Sequence, residues 1–236
     1  MIYDLIRDGF SFELVVNLLV RVFIIFCVLP IHEFAHALVS YKLGDQTARL
    51  KGRLTLSPLA HIDPFGALMI ILAGFGWAKP VPVNMRNFKN RKGYMALTAL
   101  AGPVSNIIMA FVFLLIMFII GGATGSLVYI DGVLYTTGQE GIAYAAGIFM
   151  MYAATININL AVFNFIPVPP LDGSRILFAI LPDKYYYKIM QYERYIAIGF
   201  MVLIALGILS TPISAVSGVI YNLLEKAASF PLKFFN

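Results

Sequence analysis

Residues 31–37 read Ile-His-Glu-Phe-Ala-His-Ala. Four residues apart on a helix, His32 and His36 share a face and can reach one metal ion. Glu33 follows about 100° round the helix, placed to hold a water beside that metal and take its proton. His-Glu-x-x-His is a zinc metalloprotease pattern in which the two histidines bind the metal and the glutamate is the base. A catalytic zinc takes three protein ligands and leaves one position for water, so a third ligand is required. His61, in Ala60-His-Ile-Asp-Pro64, is one candidate. Asp172 is the better one, because it follows Pro167-Val-Pro-Pro170 at the end of an amide-rich apolar stretch. A carboxylate there is costly without a partner, and a metal supplies one. Asn164, eight residues before Asp172, is expected to hold substrate backbone or stabilise an oxyanion, with Asn106 and Asn159 as weaker candidates.

The setting of these residues is apolar. Of 236 residues, 60% are hydrophobic and 12% charged, with mean hydropathy +0.84. Soluble chains carry about 25% charged residues, so the expectation is a polytopic membrane protein in a cell membrane. The net charge of +5 does not argue for nucleic acid, because in a membrane protein the location of the positive charges matters more than their sum. Asp4, Asp8 and Glu13 argue against a cleavable signal peptide. Cys27, the one cysteine, leaves no disulfide framework and no cysteine-based zinc site.

The elements that must position the chemistry can be read in order. Residues 1–20 suit an interfacial amphipathic lead-in. Arg21 and Lys42 bracket a first span, with Arg21 expected to snorkel to one interface and Pro30 to bend the helix just before the histidines. Residues 43–63 are expected to form short membrane-associated strands. Residues 64–78 are apolar but short for a crossing, which suits a re-entrant segment, and Pro80-Val-Pro82 enforces extended backbone. Tyr94 to Ile120 reads as a long helix interrupted at Ala101-Gly-Pro-Val-Ser-Asn106, and Gly141 to Phe165 as the next span, with Thr155, Asn157, Asn159 and Asn164 expected to line a polar cavity. Tyr195 to Leu209 follows as a span, then a shorter helix over 211–224. The fold class is therefore all-α, a bundle of about four to six transmembrane helices with short strands and a re-entrant segment. It is read as one membrane-embedded domain over 1–236 with a core at about 22–180.

Loop charges give the topology. Residues 42–93 and 171–194 are rich in Lys and Arg and belong in the cytoplasm; 121–140 carry Asp131 and Glu140 without a cation and belong outside. His32, His36 and Asp172 then all lie toward the cytoplasmic side.

Two stretches resemble the site-2 protease family of intramembrane zinc metalloproteases: Ile31-His-Glu-Phe-Ala-His-Ala37 and Asn164-Phe-Ile-Pro-Val-Pro-Pro-Leu-Asp-Gly173. Gly52 to Gly66, Gly76-Trp-Ala-Lys-Pro-Val-Pro-Val-Asn84 and Ala101 to Asn106 look like its compact bacterial branch, without a PDZ-like insertion or a nucleotide-binding domain. The resemblance implies Zn2+ held by His32, His36 and Asp172, Glu33 as catalytic base, and transmembrane helices in the lipid bilayer as substrates. A metal-ion transporter or a non-catalytic scaffold is the alternative. Transporters also bury His, Asp and Asn, but have no need of a glutamate beside the ligands.

Overall fold

The computed structural model describes residues 12–73, 76–130, 133–136 and 141–235. Its first helix runs unbroken to Lys42 in three parts: α1 (Phe12–Phe23), a π-turn (Ile24–Val28) and α2 (Leu29–Lys42). Pro30 accounts for the π-turn. Its nitrogen has no hydrogen for the Phe26 carbonyl, and its ring would clash there in an α-helix. The wider turn, with the Leu29 N–H donating to Ile24 O, relieves the clash. The bend expected at Pro30 is thus a π-turn immediately ahead of the histidines.

Residues 43–63 correct the expectation of strands. They hold two helical turns, α3 (Thr47–Leu50) and α4 (Pro58–His61). Both begin on helix-start chemistry: Asp45 accepts from the Thr47 N–H at 3.0 Å, and Pro58 opens α4. The strand pairing described lies elsewhere. A hairpin of β1 (Leu127–Ile130) and β2 (Val133–Thr136) pairs Leu127 with Thr136 and Ile130 with Val133, within the loop expected outside. A single antiparallel bridge joins Ile62 to Ala78.

That bridge closes the re-entrant segment. Helix α5 (Pro64–Ala73) has ten residues and reaches about 15 Å, half a hydrocarbon core. The chain leaves at Ile62 and returns at Ala78, where the Lys79 N–H donates to His61 O at 2.8 Å. The two limbs cross backbone to backbone at glycines: a Cβ on Gly66 would stand 2.0 Å from Trp77 O, and one on Gly76 would stand 2.1 Å from Gly66 O. Arg21 does not snorkel. Its guanidinium turns inward to Ile70 O at 2.8 Å and Ile71 O at 3.2 Å, capping carbonyls that the end of α5 leaves open.

Helix α6 (Arg91–Thr124) is the axis of the bundle, with α2, α7 (Ile142–Phe165) and α8 (Asp172–Ile180) packed along it. Asn90 caps its start, accepting from the Gly93 N–H at 3.0 Å, and Gly125 ends it in the left-handed region at φ 67°. The interruption expected at 101–106 is absent. Pro103 is buried inside a continuous helix.

After α8 come α9 (Asp183–Gln191), α10 (Glu193–Ala205), α11 (Ser210–Ala228) and a 3-10 turn (Phe230–Phe234). Among the described residues three helices are long and apolar enough to cross a membrane: Leu14–Lys42, Arg91–Thr124 and Ile142–Phe165. Helix α10 is shorter than the span expected over Tyr195–Leu209. Helix α11 follows it after residues 206–209. The Phe200 ring lies tilted against Phe163 beside the metal-centre cavity, and Leu232 joins Phe118 and Leu114 in the core. A second core cluster sets Val20, Ile24 and Val28 against Ile70 and Ala153. Leu19, Phe26, Leu97, Ile108 and Ile119 are exposed around the outside, an apolar surface suited to lipid. The architecture is an all-α polytopic membrane protein.

Candidate metal centre

Three side chains from two distant stretches converge. His32 and His36 project from one face of α2, and Asp172 opens α8. His32 Nε2 lies 3.1 Å from His36 Nε2. Asp172 Oδ2 lies 3.4 Å from the first and 3.2 Å from the second. A tetrahedral metal with bonds of about 2.0–2.1 Å separates neighbouring ligand atoms by about 3.3 Å, so the triangle has the right edge. Lone pairs of three acceptors this close repel unless a cation lies between them. Among the described residues this is the one cluster of three or more His, Cys, Asp or Glu groups able to hold a metal.

Helix α6 shapes the centre with one face. Thr98, Gly102 and Asn106 are spaced by four and stack along it. Thr98 O lies 2.7 Å from His36 Nδ1. A carbonyl only accepts, so Nδ1 carries the proton and Nε2 presents its lone pair. Gly102 faces both imidazoles: a Cβ there would stand 2.3 Å from His36 Nε2 and 2.6 Å from His32 Nε2. Asn106 is 1% exposed, and neither polar atom of its amide has a partner. Asp172 owes its place to the loop after α7. Gly173 packs so tightly there that a Cβ would meet Phe165 O at 2.3 Å.

Glu33 is buried beside the triangle, outside it. Its Oε2 accepts the Val81 N–H at 2.9 Å. Between Pro80 and Pro82, neither of which has an N–H, that donor is the one the Pro80–Pro82 backbone possesses. Donors, glutamate and amides line one cavity of about 350 Å³, bounded also by Trp77, Phe163 and Phe200.

The other sequence candidates separate. Asn164 reaches the cavity, with its Nδ2 given to Leu160 O at 2.9 Å. Asn159 does not line it. Asn157 and Thr155 donate to their own helix, to Ala153 O at 2.8 Å and Met151 O at 2.9 Å, and Asn157 Oδ1 is buried without a hydrogen-bond partner. The polar face expected over 155–164 thus narrows to Asn164. His61 is fully buried away from the triangle, its Nε2 2.8 Å from Thr55 O. Gly102, Thr98 and Val81 carried no explicit site signal; the nearest was a glycine before a proline inside a long helix, and a lone donor between two prolines.

The family model of peptidase family M50 matches residues 20–209, a range that contains every element of this centre. The chain belongs to peptidase family M50. The family match and the relatives bear out the resemblance to the site-2 proteases. A Bacillus subtilis protein, YwhC, named provisionally as a zinc metalloprotease, is 40% identical over 210 residues, covering 87% of this chain and 85% of its own. Rip2 of Mycolicibacterium smegmatis, named in the same way, is 27% identical over 150 residues, covering 61% of this chain and 51% of its own. No solved structure matches the chain. With its apolar spanning helices, the M50 chain is a membrane metalloprotease.

Proposed function

We propose that this M50 protease is an intramembrane zinc endopeptidase that cuts transmembrane helices toward the cytoplasmic side of the bilayer. The observation that carries the reading is the triangle of His32, His36 and Asp172 with Glu33 beside it, at the end of helices that span a membrane. The relatives' names point to zinc, and two imidazoles with one carboxylate suit it. Bound at that point, zinc polarises the scissile carbonyl and lowers the pKa of a water toward about 7.

The chain's own groups do the rest. Glu33 takes a proton from the attacking water and passes it to the leaving amine. Val81 holds one Glu33 oxygen, so the other is turned to the water. Asn106 offers an unspent amide N–H to the oxygen of the scissile carbonyl as charge builds on it. Asn164, whose N–H is already spent, offers its carbonyl oxygen to a substrate backbone N–H. Trp77, Phe163 and Phe200 give the cavity an apolar wall.

The basic stretches 42–93 and 171–194 support a cytoplasmic orientation. They also touch each other, Lys92 Nζ donating to Leu181 O at 2.8 Å. The test uses protein purified with its metal and a single-span substrate in proteoliposomes. Wild type is expected to carry about one zinc per chain and to cleave. Glu33→Gln is expected to keep the zinc and lose cleavage by at least about 10²-fold. Undiminished cleavage by that variant would sink the assignment.

A further inference from the structure

A second, larger cavity of about 1040 Å³ opens at the cytoplasmic end of the bundle as assigned above. Five cations line it: Arg86, Lys89, Arg91, Lys92 and Arg175. Glu193 is the one acid in the lining. Arg86 comes from the 3-10 turn Met85–Asn87, Lys89 from the loop after it, Arg91 and Lys92 from the first turn of α6, and Arg175 from α8, so two distant stretches of chain converge on one sign of charge. Low-dielectric walls around such a cluster focus its field.

The basic cavity continues into the catalytic one. Val83, Met95, Pro170 and Arg175 line both. Arg175 stands three residues after Asp172 on α8, on the same helical face. The shared lining makes the basic cavity continuous with the path a polypeptide would take from the metal centre toward that end of the bundle.

We infer that this cavity binds the cytoplasmic flank of the substrate and selects flanks that are acidic. This rests on the intramembrane protease reading above. Most membrane helices carry Lys and Arg on their cytoplasmic flank, so a basic mouth repels the majority of helices in the bilayer and admits a minority. Specificity here is a difference between two affinities, obtained largely by rejecting the common partner. Because the contact lies outside the reacting bond, it acts on KM more than on kcat.

The test compares substrates with one transmembrane helix and a cytoplasmic flank of four Glu, four Ser or four Lys, in phosphatidylcholine proteoliposomes. For wild type, kcat/KM is expected to be at least about tenfold higher for the Glu flank than the Lys flank, mostly through KM, and the ratio is expected to shrink as salt is raised. The double variant Arg86→Glu with Lys89→Glu should collapse or reverse the ratio, while Arg86→Lys with Lys89→Arg should keep it. The ratio is taken within each variant, so a loss of folded protein does not mimic the effect. A ratio near one in wild type, or a ratio unmoved by charge reversal, overturns the proposal. A separate arm measures binding of a fluorescent Glu-rich peptide to the zinc-loaded Glu33→Gln protein. If wild type cleaves none of the three substrates, the protease reading fails, and peptide binding still decides what the cavity takes. Loss of that binding to phosphatidylglycerol vesicles at equal charge would assign the cavity to lipid and overturn the peptide flank.

Discussion

A methyl group at position 102 would stand 2.3 Å from His36 Nε2 and 2.6 Å from His32 Nε2. Gly102→Ala is therefore expected to leave a helical membrane protein whose zinc content falls from about one per chain toward zero; metal analysis beside circular dichroism checks it, and full zinc in that variant would refute the close approach. Asn106→Ala tests the other end of the same helix face. It should retain zinc and KM and lose kcat by about 10²–10³-fold, the scale of a single oxyanion donor, whereas Asn164→Ala should act mainly on KM. The convergence of His32 and His36 was legible because their spacing puts them on one helix face, and that of Asp172 because a carboxylate at the end of an apolar stretch needs a partner. Gly102 and Thr98 were not, because a glycine's role in clearing space and a backbone carbonyl's role in fixing a tautomer leave no side-chain signature. Asn164 and Asn106 were both visible, but which amide is free depends on whether it bonds its own helix.

The segment 79–84 has no regular structure and leads into the 3-10 turn Met85–Asn87, the whole being positioned from three sides. Lys79 pairs with His61, Val81 with Glu33, and Asn84 and Asn87 with Asp45. Asp45 is fully buried and accepts from the Thr47 hydroxyl at 2.5 Å, the Asn84 N–H at 2.7 Å and the Asn87 amide at 2.7 Å. Burial alone would push its carboxyl up. The donors, Thr47 first, favour the charged form and hold it below the usual carboxylate range. A depressed folded pKa adds stability above the unfolded value of about 3.9, and that stability is lost as pH falls through the folded value. Asp45→Ala should cost about 1–3 kcal/mol by leaving buried donors unpaired, and should flatten the acid limb of a thermal-stability profile. Val81→Pro removes the donor that holds Glu33, so it should lower kcat while zinc stays bound. Along this extended stretch the Val81 N–H is already taken by Glu33, and Pro80 and Pro82 offer none. The strands expected over 43–63 did not form. Alternating leucines and cations look like a strand, but Asp45 and Pro58 start helical turns that such alternation does not reveal.

At the scale of the whole molecule, the chain folds back so that two stretches 136 residues apart, at His36 and Asp172, meet beside a third helix. Composition and loop charge made the membrane class and the three long helices legible, because hydropathy over a span is a sum that tolerates local error. The span expected over 195–209 was less so, since the chain there divides into α10 and α11, neither of which has both the length and the hydropathy of a crossing. The continuity of two cavities at one end of the bundle is a property of the assembled fold, and no segment announces it. The central claim is that one metal sits among His32, His36 and Asp172, and zinc K-edge X-ray absorption on the lipid-embedded protein tests it directly. The account predicts a first shell of nitrogen and oxygen at about 2.0–2.2 Å with the signature of two imidazoles, one of which disappears in His36→Ala. A shell containing sulfur, or one unchanged by that substitution, would contradict it.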